Sequence, residues 1–273
     1  MQNFSASPRE MVASFWRNRQ LIRNLIKRDV LGRYKGSMLG IFWSLATPIF
    51  MLAVYTFVFS VVFKARWGAG GSDSKTEFAL VLFVGLMVFN LFSECIGRAP
   101  GLILANVNYV KKVVFPLEVL PWVSMGSALF QFAVSLVVWL MAYGMLFGIP
   151  HWHALLLPLV LVPLMLFVMG LSWALASLGV YLRDVGQIIG VVITVLMFLT
   201  PIFYPASALP PAYQPLMLLN PLTAPIEMAR DLMYWGRLPS LNLLALYAAG
   251  ALGFAVLGFA WFQKTRKGFA DVV

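Results

Sequence analysis

The sequence predicts an all-α integral membrane protein. Six transmembrane helices are expected, with an N-terminal amphipathic interfacial helix before the first and a broken, re-entrant helical pair before the last. Three observations predict this. Apolar residues make up 61% of the 273 and charged residues 11%, where a soluble domain carries about 25% charged residues. About six apolar segments approach the roughly 20 residues needed to cross a hydrocarbon core. Finally, six prolines fall between Pro205 and Pro225 in a stretch that stays strongly apolar. No single straight span tolerates that many.

The first 36 residues form a cytoplasmic tail and interfacial helix. The opening MQNFSASPRE lacks an apolar stretch behind a basic one, so no cleaved signal peptide is expected. Over residues 8–35, Met11, Phe15, Leu21, Ile22, Leu25 and Ile26 interleave with Arg17, Arg19, Arg23, Lys27 and Arg28. Apolar and basic positions at helical spacing predict a helix lying in the headgroup boundary. A basic tail that only sets orientation is the alternative. Gly32, Gly36 and Gly40 then recur every four residues. They fit close helix packing or a bend into the first span.

Spans are expected over residues 37–63, 78–97, 117–147, 154–180, 188–204 and 241–262, within a transmembrane domain of residues 37–273. The charges between them sort by side. One side carries Arg9, Arg17, Arg19, Arg23, Lys27, Arg28, Arg33, Lys35, Arg98, Lys111, Lys112, Arg183, Lys264, Arg266 and Lys267. The other carries Lys64, Arg66, Lys75, Arg230 and Arg237. Positive residues favour the cytoplasmic face, so both termini are expected there. The net charge of +10 then marks topology and anionic lipid contact and needs no nucleic acid.

Two connecting segments read as more than loops. Residues 98–116 are cytoplasmic, with polar caps and a few apolar anchors. Such an element can dock in a partner's groove as a short helix, or simply connect. Residues 205–239 read as two short broken helices dipping into the outer leaflet. Backbone broken at that depth must be shielded by protein or line a wet cavity.

Several function classes drop out. The chain holds no G-x-x-x-x-G-K-[ST] phosphate loop, GxGxxG, HExxH or cysteine cluster. Any energy source therefore lies on another polypeptide. Cys95 is the single cysteine, which excludes a disulfide framework. His151 and His153 lack a nearby carboxylate or third ligand, and an interfacial loop explains them better than a metal. Glu94 and Glu118 sit near span ends, within reach of Arg98 or Lys112. The acids expected of a mid-membrane proton relay are missing. A transferase needs a carboxylate or histidine at its reacting centre. Asp184, Glu227 and Asp231 each lie within three residues of Arg183 or Arg230, so local pairing is the simpler account.

Three stretches carry a family resemblance: RDVLGRYKGSMLGIFWSLATPIFMLAVYTFVF (28–59), YLRDVGQIIGVVITVLMFLTPIFYP (181–205) and NPLTAPIEMARDLMYWGRLP (220–239). Together they resemble the permease subunit of type-2 ABC exporters for bacterial cell-surface polysaccharide, most of all the O-antigen permease. The resemblance runs over nearly the whole chain. It implies a homodimer in the bacterial inner membrane, with two copies of a separate ATPase that holds the ATP and magnesium, and no cofactor in this chain. It implies a polysaccharide on an undecaprenyl diphosphate carrier as substrate. It matches residues 8–35 to an interfacial helix, 106–115 to the coupling region and 205–239 to re-entrant exit helices. Capsule or teichoic-acid export, and drug or lipid export by the same transporter type, are the alternatives. A membrane transferase is the remote one.

Site candidates follow. Aromatic faces stack on sugars without fixing one hydroxyl pattern. Trp43, Phe50 and Phe57 recur at heptad spacing in the first span, and Tyr55, Phe59 and Phe63 four apart. Phe198, Phe203 and Tyr204 stand in the fifth. Of these, Trp43, Phe50, Tyr55, Phe57, Phe59, Phe198, Phe203 and Tyr204 are the channel-lining candidates, with lipid-facing or core packing as the plainer alternative. A diphosphate calls for charge-assisted donors, and Arg28, Arg33 and Lys35 are nearest the first span. Asn106, Asn108, Tyr109, Lys111, Lys112 and Phe115 are the candidates for coupling to the ATPase.

Overall fold

A computed structural model describes residues 5–62, 67, 75–112 and 115–272, except the side chains of residues 60, 61, 75, 112, 216 and 218. Phe63, Lys64, Arg66 and residues 113–114 of the expected coupling segment lie outside the described residues, as does the Lys112 side chain.

The described chain is helical. Helix α1 (Pro8–Arg17) starts with a side-chain N-cap: the Ser7 hydroxyl accepts from the Glu10 amide at 3.2 Å, and Pro8 takes the first position, where no N–H is needed. Helix α2 (Arg19–Arg33) follows at Asn18. The two bury Met11, Ser14, Ile22, Leu25 and Val30 and leave their arginines mostly outside.

The glycine run from the last turn of α2 onward leads into a bend at Gly36 and Gly40 and is not a packing seam. Gly36 and Gly40 have φ of +88° and +52°, and no atom comes within 4 Å of where a Cβ would stand at Gly32, Gly36 or Gly40. Only glycine adopts such φ at little cost.

Helix α3 (Trp43–Tyr55) continues through wider π-type turns over Thr56–Val62. Next come α4 (Lys75–Arg98), the short α5 (Val107–Lys112), α6 (Leu120–Phe147), α7 (Leu157–Tyr181) and α8 (Val185–Leu199). After them stand α9 (Gln214–Leu219) and α10 (Thr223–Arg230), which runs into π-type turns to Trp235, then α11 (Leu241–Thr265) and α12 (Phe269–Val272).

Five helical stretches among the described residues are long and apolar enough to cross a membrane: Gly40–Phe59, Thr76–Gly101, Leu117–Phe147, Trp152–Tyr181 and Leu241–Val272. The sixth expected span, residues 188–204, differs. Helix α8 has only 15 residues, about 22 Å at 1.5 Å per residue, short of a core of about 30 Å. It stops because Pro201 follows Thr200, and a residue before proline is pushed out of the helical region. Thr200 has ψ of 141°.

Helix α4 is the centre of the bundle. In its most apolar eighteen residues 83% are buried, against 11% for the stretch holding α3. Trp139 of α6 is fully buried and donates its indole N–H to the Leu80 carbonyl at 3.0 Å. On the far side, α7 and α11 meet through Gly170, Ala255 and Gly258. A Cβ on either glycine would run into the backbone of the other helix. Small residues let backbones approach where lipid offers no hydrophobic drive.

Candidate functional site

The bundle's two ends are built differently. At the end carrying α1, α2 and α5, arginines meet carboxylates. Arg98 at the end of α4 clasps Asp29 of α2 with two hydrogen bonds, 3.0 and 2.8 Å. This is the bidentate fork that guanidinium favours. Arg33 bonds Asp29 at 3.2 Å and pairs closely with Glu94. Burial alone would raise the Asp29 carboxyl, but the Arg98 bonds and the charges of Arg98 and Arg33 more than reverse it. They hold it at about 2. Burial likewise works against the Arg33 charge, and Glu94 and Asp29 overcome it. Glu118, buried, accepts from Ser14 at 2.8 Å and pairs with Arg266 at 2.5 Å. The sequence left Glu118 solvated or paired with Arg98 or Lys112; it is buried instead, and the tail beyond α11 supplies its partner.

The three carrier-headgroup candidates do not converge. Arg28 and Lys35 line an open groove beside α2 with Asn24, Lys27 and Tyr34. Arg33 lies in a separate cleft of about 370 Å³ between α3, α4 and α6. That cleft mixes Asn90, Ser93, Gln131 and Ser135 with Met51, Tyr55 and Phe132. Gln131 is held by its Nε2 bond to the Ser44 carbonyl at 3.2 Å. Asn90 is exposed there on a helix of membrane-crossing length, and polar groups at such depth are costly unless used.

The coupling candidates partly assemble. Tyr109 on α5 stacks on Phe115, centroids 4.3 Å apart and planes at 7°. Arg28 of α2 donates to the Tyr109 hydroxyl at 3.0 Å. Asn106 bonds the Leu102 carbonyl at 2.8 Å, a local turn contact. Asn108 and Lys111 are exposed.

The aromatic candidates divide in three. Trp43, Phe50 and Phe57 form an exposed stripe on the first apolar helix, Phe50 at 68% exposure. Tyr55 turns into the cleft. Phe59 lies stacked between Phe78 and Phe203, at 5.4 and 5.8 Å, and Phe203 in turn lies 5.9 Å from the exposed Phe198. Tyr204 does something the sequence did not reveal: its hydroxyl donates to the Phe198 carbonyl at 3.0 Å and so caps the end of α8. Helical spacing cannot place Phe203 and Tyr204 with Phe198, because the helix has ended before them.

The largest surprise is Arg230, expected on the outer side. It is completely buried at the end opposite α1 and α2. Nε donates to Val81 O at 3.1 Å, Nη1 to Pro201 O at 2.6 Å and to Glu227 Oε1 at 2.9 Å, and Nη2 to Ile202 O at 2.8 Å. Its Cζ lies 4.3 Å from the Trp67 ring centroid. The adjacency of Glu227 on α10 was readable. The carbonyl partners, from positions as far away as Val81, were not.

Residues 20–234, which hold both clefts and Arg230, match the model of the ABC-2 type transporter family. The chain belongs to that family. It is thus a multi-pass membrane protein, and ABC-2 relatives align with it almost end to end. An O-antigen export system permease protein RfbA from Myxococcus xanthus is 30% identical over 96% of this chain and 99% of its own length. Its namesake from Klebsiella pneumoniae is 27% identical over 91% and 93%. A polysialic acid transport protein KpsM from Escherichia coli is 24% identical over 90% and 93%. Against this ABC-2 frame, the matched region ends within the turns after Arg230; it holds α7, and α11, the other half of the seam, lies beyond it.

Proposed function

We propose that this chain is the membrane-spanning subunit of an ATP-driven exporter that moves polysaccharide on an undecaprenyl diphosphate carrier across the bacterial inner membrane. O-antigen is the first-choice cargo. The observation that carries this reading is the near end-to-end match to a permease named for O-antigen export. The match to a polysialic acid transporter makes capsule polysaccharide the second reading. Two copies of the chain pair through the bare faces of α3 and α8, and two copies of a separate ATPase dock at the basic end, where α5 and the Tyr109–Phe115 stack lie. ATP and its magnesium stay on that partner. Both termini are cytoplasmic, α1 and α2 lie in the interface, and α8 with the broken segment after it completes a sixth crossing.

The carrier's diphosphate fits the groove of Lys27, Arg28 and Lys35, whose cations are not consumed by carboxylates in the way Arg33 is. Arg28 would join that groove to α5 through Tyr109. Glycan then follows the aromatic rings of the first span and the end of α8. A polymer in motion needs many weak contacts, and exposed rings supply them.

The test is deletion of the coding sequence in its host, followed by extraction of lipid-linked glycan. Polymer should accumulate in the inner membrane and vanish from the surface, and the wild-type chain should restore export and co-purify with an ATPase. Normal surface polysaccharide after deletion overturns the reading.

A further inference from the structure

We propose that Arg230 is a positioning residue: it holds the break after α8 against central helix α4 and so fixes the far end of the conduit. This rests on the export reading for its functional half.

The argument starts from the broken backbone. Where α8 stops, the carbonyls of Pro201 and Ile202 lose the helical ladder. In a bilayer nothing else hydrates them, and a backbone group left unsatisfied there is strongly penalised. Arg230 meets both, at 2.6 and 2.8 Å, and reaches Val81 O on α4 with Nε. A guanidinium offers five N–H donors in a rigid fork. Lysine cannot bridge three carbonyls on two elements in the same way. The Glu227 side chain is 39% exposed while Arg230 is at 1%, so Glu227 supplies the counter-charge from the rim while the carbonyls and the Trp67 face surround the buried part of the guanidinium.

A second side chain of the same segment serves the break: Asn220 Nδ2 donates to the Thr200 hydroxyl at 2.8 Å. Space for the guanidinium is built in as well. A Cβ on Gly85 would stand 2.6 Å from Arg230 Nη2, so α4 carries glycine where the fork passes. Immediately beyond the held carbonyls comes Phe203, stacked on Phe59. Arg230 therefore sets where the end of α8 meets the first apolar helix.

The experiment uses the permease–ATPase complex in detergent. Ile202, 0% exposed, is replaced by cysteine as a reporter, and Ala255, 0% exposed in the α7–α11 seam, as a control. With Arg230 intact, a polar maleimide should leave both silent. Arg230→Lys, or Gly85→Ala as the variant that keeps the arginine but displaces it, should speed labelling at position 202 roughly tenfold or more through local opening and leave position 255 silent. Unchanged labelling at 202 overturns the proposal. So does labelling of both positions together, which marks Arg230 as general support for the bundle. In lipid-linked-glycan-stimulated ATPase assays without the reporters, Arg230→Lys should lower the maximal rate several-fold without moving the half-saturating concentration, since the lesion is remote from the headgroup groove. A shift in that concentration instead overturns the exit assignment. Labelling needs no glycan, so a wild-type complex that ignores glycan defeats the export reading while the labelling result stands.

Discussion

At the basic end, Arg33 and Arg98 share Asp29 and Glu94 with side chains 22–36% exposed. At the other end Arg230, at 1%, meets three backbone carbonyls and one carboxylate. Half-exposed ion pairs are individually weak and can re-form with new partners when helices slide. A cation anchored on carbonyls at a helix break cannot let go without exposing backbone to lipid. The difference teaches where this molecule can move: α2 against α4 at the basic end, and very little where α10 meets α4.

The comparison is broken most severely by removing the carbonyl anchor. Arg230→Met should destabilise the protein by about 3 kcal/mol or more, since it strands the buried Pro201 and Ile202 carbonyls, which have left the helical ladder, read as a large drop in the thermal midpoint in detergent. A midpoint within a degree of wild type would erase the contrast between the ends.

An intermediate effect should come from Glu118→Gln. It leaves the Ser14 bond possible but removes the charge facing Arg266, whose side chain is 10% exposed. About 1–3 kcal/mol is expected for taking the carboxylate charge from such a group. Arg266 keeps its 2.6 Å bond to the Phe115 carbonyl, which limits the loss. A cost matching that of Arg230→Met would show that burial, not carbonyl anchoring, sets the hierarchy.

The smallest effect belongs to Asp29→Asn, about 1 kcal/mol at neutral pH, because solvent screening around partners that are about a third exposed discounts what the lowered carboxyl would otherwise contribute, and it should depend on pH. The folded carboxyl titrates at about 2, below an ordinary value of about 3.9. Stability from a depressed carboxylate is complete above the ordinary value and is lost as pH falls toward the folded one. The gap between wild type and Asp29→Asn should therefore be constant from pH 7 to about 5 and shrink below about 4. Thermal midpoints across that range would read it, and a gap that stays level to pH 3 would remove Asp29 from the account.

Much of the helical frame was legible because hydropathy and proline act locally. Long apolar runs become long apolar helices, and Pro201 ends α8 through its own ring. The two glycine readings could not be separated by spacing, since a four-residue period fits a seam as well as a bend; the φ values of Gly36 and Gly40 decided it. Partnerships across the chain were not legible. Arg230 and Val81 are 149 positions apart, and Phe59 with Phe203 or Glu118 with Arg266 are joined only by the fold. Tyr204 shows the same limit at short range, because its hydroxyl caps a helix whose end had to be known first.

The glycine seam between α7 and α11 carries a consequence for biogenesis. Gly258 follows Gly170 by 88 positions, so α7 is made long before the surface it needs. At roughly 5–20 residues per second, its partner arrives about 4–18 seconds later. During that interval α7 presents to the lipid a groove whose backbone only a glycine-bearing helix can approach. The last long helix is therefore the closing step of assembly, and a ribosome that stalls before α11 leaves a chain whose matched family region is complete but whose outer wall is missing.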